Sequence, residues 1–82
     1  MMKEHEQYFA MTLQQKLKKQ VIGRVFVKIT YNDEILVVIR YSDEEEFKMF
    51  IPNFTEQLIN GLSTDYVAYN VIREYRTCLI RR

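Results

Sequence analysis

Cysteine occurs once in the chain, as Cys78, histidine once, as His5, and tryptophan not at all; two glycines and one proline are the only strong punctuation. A single thiol closes no internal disulfide, so the fold must rest on packing, and a reducing cytoplasm is the expected setting. One histidine and one cysteine cannot make a zinc site of the usual spacing, and Cys78 has no histidine to activate it as a nucleophile. Two glycines do not build a phosphate-cradling loop, and neither the P-loop nor the dinucleotide fingerprint occurs. No metal, no cofactor and no enzymatic activity are expected.

Long apolar runs are missing too. No stretch approaches the roughly 18 residues of a membrane span, and the opening MMKEHEQYF carries acids where a signal peptide would carry its apolar segment, so a soluble cytoplasmic protein is expected. Nor does one charge dominate: 12 Lys plus Arg stand against 11 Asp plus Glu, leaving +1. Any partner must therefore be recognised by a local face. What is present is apolar side chain, 48% of the 82 residues, with 13% aromatic. That is enough for one small core with some surface to spare. The organisation expected is a flexible N-terminal extension, residues 1–11, with Met11 as an alternative start, and a single α+β domain over residues 12–82.

In TLQQKLKKQVIG, Thr12 and Gln15 make a capping box, Leu13, Leu17 and Val21 recur every four residues, and Gly23 suits the left-handed position after a helix. Phe9 falls on the same stripe, so a start near residue 4 is the alternative. RVFVKITYNDEILVVIRY then switches to period two around Asn32-Asp33, which predicts a β-hairpin. A three-residue loop, Asn32 to Glu34, pairs Tyr31 with Ile35, Ile29 with Val37, Val27 with Ile39 and Val25 with Tyr41. It gathers the apolar residues on one face and is preferred to a two-residue loop at Asn32 and Asp33.

RYSDEEEFKMFIPN admits two readings. Ser42 and Glu45 offer a helix start, but that helix would hold Pro52 in its interior, at about 3 kcal/mol. The preferred reading makes residues 42–46 a turn and sets Phe47, Met49 and Ile51 in a third strand opposite Tyr41, Ile39 and Val37; helix and strand both stay open for residues 44–51. Asn53 and Glu56 box a short helix with Phe54, Leu58 and Ile59 inward, closed by Asn60-Gly61, and Ser63, Thr64 and Asp65 start a last helix. The order α-β-β-β-α-α predicts an α+β fold, a three-stranded antiparallel sheet with helices on one face.

Three surfaces are candidates for a partner. On the last helix Ala68, Val71, Ile72, Tyr75 and Leu79 form the core stripe, and Tyr66, Tyr69, Arg73 and Arg76, with Ile80, form a second stripe about 120° away. Interleaved tyrosine and arginine can stack on bases and pair phosphates, or anchor a protein interface; they also suit a helix end and a solvated surface. On the outer sheet face Phe26, Lys28, Val38, Arg40, Lys48 and Phe50 come together, with Val38 between Lys28 and Phe50. Either a second copy or a partner protein covers that face, or the N-terminal segment partly buries it. The third is an acidic rim, Asp43, Glu44, Glu45 and Glu46, read first as a solvated turn because adjacent residues point apart and cannot converge on a metal.

The small size, the lack of catalytic residues and the Lys/Glu/Ile/Tyr/Asn-rich style resemble accessory proteins carried by phages and mobile elements of Gram-positive bacteria. The α-β-β-β-α-α order with an acidic turn is similar to one group of small phage inhibitors of CRISPR nucleases, which imitate DNA with scattered carboxylates; here the acids are bunched and the charge is balanced. That resemblance implies an inhibitor. The function expected is a non-catalytic protein-interaction module that binds and modulates a partner protein, as a monomer or a homodimer. The alternative is a small nucleic-acid-binding regulatory protein using Arg73, Arg76 and Arg40 on phosphates.

Overall fold

The computed structural model describes residues 3–81. α1 (Lys3–Lys18), β1 (Arg24–Ile29), β2 (Ile35–Arg40), β3 (Glu46–Ile51), α2 (Phe54–Ile59) and α3 (Thr64–Ile80) follow in that order, and the strands form one open antiparallel sheet, β1-β2-β3. The fold is α+β, in the expected order, and residues 46–51 are strand. Among the described residues no helix is long and apolar enough to cross a membrane.

α1 is continuous from Lys3, with Glu4 and Glu6 in its first turn and Lys16 and Lys18 in its last, the charge order that its dipole favours. Thr12 lies inside the helix and caps nothing, so of the two expected starts the earlier is observed. Residues 3–11, read from sequence as an extension, carry Phe9 into the core beside Leu13 and Leu17; Met1 and Met2 lie outside the described residues. Gly23 does not end α1. It sits before β1 with φ of 133°, where a Cβ would stand 2.6 Å from the carbonyl oxygen of Arg40.

The strand register differs from the expected one by two residues in both hairpins. Val25 pairs with Ile39, Val27 with Val37 and Ile29 with Ile35; Ile35 pairs with Ile51, Val37 with Met49 and Ile39 with Phe47. The first loop is three residues long but is Tyr31 to Asp33, closed by the Thr30 N–H donating to the Glu34 carbonyl at 2.9 Å. A loop of this kind needs a left-handed residue in its last position. Asp33 takes it with φ of 58°, a conformation aspartate tolerates better than the glutamate that the other loop would have placed there. In the second loop the Glu45 N–H donates to Ser42 Oγ at 3.1 Å. The cap bond that suggested a helix is real and closes a turn instead.

Helices cover the face that holds Val25, Val27, Ile35, Val37, Ile39, Phe47 and Met49, and this face with Phe9, Leu13, Leu17, Phe54, Val67, Val71 and Ile72 forms the core. The open edge of β1 is met by α1, whose Gln14 Oε1 accepts the Val27 N–H at 3.0 Å. α3 is capped by Ser63, whose hydroxyl oxygen accepts the Tyr66 N–H, and Lys16 pairs with Asp65 across α1 and α3. Ile59, expected inward, is exposed, since α2 is one short turn-and-a-half with Phe54 and Leu58 on its inner side.

α2 is capped from elsewhere in the chain. Asn53 is left-handed and its side chain makes no cap bond, so the expected Asn53/Glu56 box does not form. Asp33 replaces it: its carboxylate accepts the Thr55 N–H at 3.1 and 3.2 Å and the Thr55 hydroxyl at 2.6 Å, and its carbonyl accepts the Phe54 N–H at 2.8 Å. Thr55 Oγ1 also lies 3.2 Å from Glu6 Oε1 of α1, but a hydroxyl has one proton and the shorter contact takes it.

Two stability predictions follow from these contacts. Asp33→Ala loses a cap, about 1 kcal/mol, and puts alanine in a left-handed position, about 1 kcal/mol more. Urea denaturation should therefore show a loss near 2 kcal/mol, and Asp33→Asn, which keeps the turn, should lose less than half of it. Equal losses in the two variants would show that the turn preference contributes nothing. Tyr75 is buried, with Tyr41 and Phe47 edge-on at 5.9 and 5.7 Å. Burial first, then the neighbouring Tyr41 and Cys78, push its phenol above the ordinary value of 10.0. A raised pKa stabilises the fold below that ordinary value, and the contribution disappears as pH rises through the folded value. Melting temperature should fall in that alkaline window, and Tyr75→Phe should flatten the fall; an unchanged profile would assign the alkaline loss to other groups.

Candidate functional site

The helices leave the second face of the sheet uncovered. Because side chains alternate along a strand, the even-numbered residues share it, in three cross-strand rows: Arg24, Arg40 and Glu46; Phe26, Val38 and Lys48; Lys28, Leu36 and Phe50. All six residues expected on this face are there. Val38, however, lies between Phe26 and Lys48, and Leu36 takes the place between Lys28 and Phe50, as the shift of register requires. Arg24 and Leu36 were missed by the sequence reading, although parity with Phe26 and Val38 would have found both.

Chemically the face is an apolar band between cations. Phe26 and Phe50 stand at opposite corners of the middle of the sheet, 52% and 51% exposed, on the half-buried floor of Val38 and Leu36. With strands about 4.8 Å apart and about 3.4 Å of rise per residue, the rings are roughly 12 Å apart on the diagonal. Lys28 and Lys48 occupy the other diagonal. Four cations face a single carboxylate, that of Glu46, which lies 3.3 Å from Arg40 Nη2 and 3.3 Å from Lys48 Nζ. Among the described residues neither Arg24 nor Lys28 has an ion pair. Arg24 and Arg40 stand directly across from each other, an arrangement that repels within the sheet and suits an anion placed between them.

The four acids of the rim separate. Asp43 and Glu44 are exposed in the loop, Glu45 is half-buried beneath it, and Glu46 opens β3 and belongs to the cationic face. Among the described residues no group of three or more His, Cys, Asp or Glu side chains is placed to hold a metal ion. On α3, Tyr66, Tyr69, Arg73 and Arg76 are exposed in one stripe as expected, but Arg73 is already engaged. Its guanidinium lies 5.9 Å over the Tyr69 ring and its Nε 3.6 Å from the Glu74 carboxylate. α3 packs on the covered side of the sheet, and Tyr66 of its stripe meets Phe50 of the outer face in a pocket at the edge of β3, lined also by Pro52 and Asn70, so the two surfaces adjoin there. Cys78 is half-buried beside the core stripe, and His5 is exposed on the first turns of α1.

No protein-family model matches the chain, and neither a curated protein nor a solved structure shows significant similarity to it.

The hydrogen bond from Lys48 is the largest influence on the Glu46 carboxyl; desolvation, next in size, opposes it, and Arg40 adds to Lys48, so that the carboxyl is held below its ordinary value of 4.5. A lowered pKa stabilises the folded form above the ordinary value, and this is lost as pH falls through the folded one. A carbon-detected NMR titration should find Glu46 titrating below the ordinary value of 4.5, and Lys48→Ala should move it upward. A Glu46 midpoint unmoved by that substitution would mean that the bridge does not persist in solution.

Proposed function

We propose that the protein is a non-catalytic binding module whose working surface is the outer face of the sheet, and that its partner is anionic. One observation carries the reading: four cations and one engaged carboxylate surround an apolar band on the sheet face that the helices of the described residues leave open. A chain with a net charge of +1 has little long-range attraction for a polyanion, so attraction must come from this asymmetry. The DNA-mimic inhibitor suggested by the order of elements would need the opposite sign on its exposed surface. A partner protein with an acidic, flat surface is a second reading, favoured by the apolar floor of Val38 and Leu36.

Retention on immobilised heparin tests the anionic reading. The wild-type protein should be retained at low salt and elute as salt rises, because the contact is between screened surface charges. Lys28→Glu with Lys48→Glu should abolish retention. Arg73→Glu with Arg76→Glu changes the net charge equally and should leave retention nearly intact. The reverse result would move the site to α3, and equal losses would reduce the interaction to net charge.

A further inference from the structure

We infer that the anionic partner is single-stranded nucleic acid, laid obliquely across the sheet with one base on Phe26 and another on Phe50. The inference rests on the anionic reading above and adds what the two rings do. An aromatic ring half-exposed on an open sheet presents the flat surface that an unpaired base stacks on, and stacking on such platforms tolerates any sequence. The opposite diagonal sets Lys28 beside Phe50's row and Lys48 beside Phe26's row, so each stacked base would have an ammonium within reach of the adjoining phosphate. The facing pair Arg24 and Arg40 lies at the end of the sheet, one row beyond Phe26, where the strand would leave.

A second copy of the chain fits this face poorly. Three strands of six residues cover a patch of roughly 300 Å², from strand spacing and rise, against about 800 Å² on each partner of a stable protein interface. Two copies face to face would also oppose four cations to four. Nucleic acid needs little area, because phosphate contacts supply the attraction and displaced counterions drive it.

Fluorescence anisotropy with a labelled oligothymidine of about ten nucleotides, the site size of a small single-strand binder, tests the inference against three probes: a duplex of equal phosphate number, heparin and polyglutamate. The single strand should bind more tightly than the duplex, whose stacked bases cannot reach the rings. Each of Phe26→Leu and Phe50→Leu should weaken single-strand binding roughly 5- to 150-fold while heparin retention stays unchanged, and Phe50→Trp should restore or strengthen it. The logarithmic salt slope should fall by about 0.7 for each of Lys28→Ala and Lys48→Ala. Circular dichroism confirms that each variant is folded. Equal binding of duplex and single strand, indifferent to both leucine variants, would overturn stacking and leave a general anion-binding face. Tighter binding of polyglutamate than of the single strand would assign the face to an acidic protein and overturn the inference. Failure of every probe at low salt would overturn the anionic reading itself.

Discussion

Both hairpin loops contain an odd number of residues, and the two-faced character of the molecule depends on that. The pairs Val25 with Ile39 and Val37 with Met49 join odd numbers to odd numbers, so residue parity is carried unchanged from β1 through β2 to β3. Odd positions all face the helices and even positions all face away. A single insertion in either loop would invert one edge strand, taking Val25 or Met49 into solvent and Phe26 or Lys48 into the core. The loops are defended accordingly. Asp33 takes the left-handed position in the first and Ser42 Oγ holds the Glu45 N–H in the second.

Chain length then decides what happens on each side. Helices of 16 and 17 residues are about 25 Å long and about 10 Å wide, so α1 and α3 side by side cover three strands once. Among the described residues no element is left for the second face. α2 is spent joining β3 to α3, where Phe54 closes one end of the core against the Phe9 ring at 5.2 Å. That is why Asp33 matters beyond its loop: by capping α2 it ties the first hairpin to the end of the core that Phe54 fills, and so couples the sheet's register to the seating of the helices.

These facts explain what could be read in the sequence and what could not. The class, the order of elements, most of the core stripes of α1 and α3 and most of the membership of both sheet faces were legible, because they depend on period and parity; buried Val67 of α3 was not expected. A register wrong by two residues preserves parity, so Phe26, Lys28, Val38, Arg40, Lys48 and Phe50 were placed on the correct face but beside the wrong neighbours. Local chemistry misled wherever a long-range contact supplied the group. Asn53 looked like a cap because nothing in its neighbourhood reveals that Asp33 reaches Thr55. Gly23 looked like a helix terminator because its close approach to Arg40 exists only once β2 is paired. Residues 1–11 read as a flexible extension, with a helix start near residue 4 as the alternative, whereas Glu4 and Glu6 charge the first turn of a helix whose Phe9 is core.

Uncovered strands carry their own hazards, and some of the outer face answers to those rather than to a partner. Lysines on edge strands deter pairing with other chains, which accounts for Lys28 on β1 and Lys48 on β3. Phenylalanine favours strand conformation and packs on its cross-strand neighbour, which gives Phe26 beside Val38 and Phe50 beside Leu36 a modest structural value. Neither argument reaches Arg40, or the pairing of Arg24 with it. Arg40 is on the central strand, where no edge needs guarding, and placing Arg24 directly opposite it sets like charges together at a cost to the sheet. Glu46 relieves Arg40 from the other side at 3.3 Å and leaves Arg24 without an ion pair among the described residues. A pair held against the interest of its own sheet is the part of this surface that stability does not explain, and an anion seated between the two guanidinium groups would turn the repulsion into attraction.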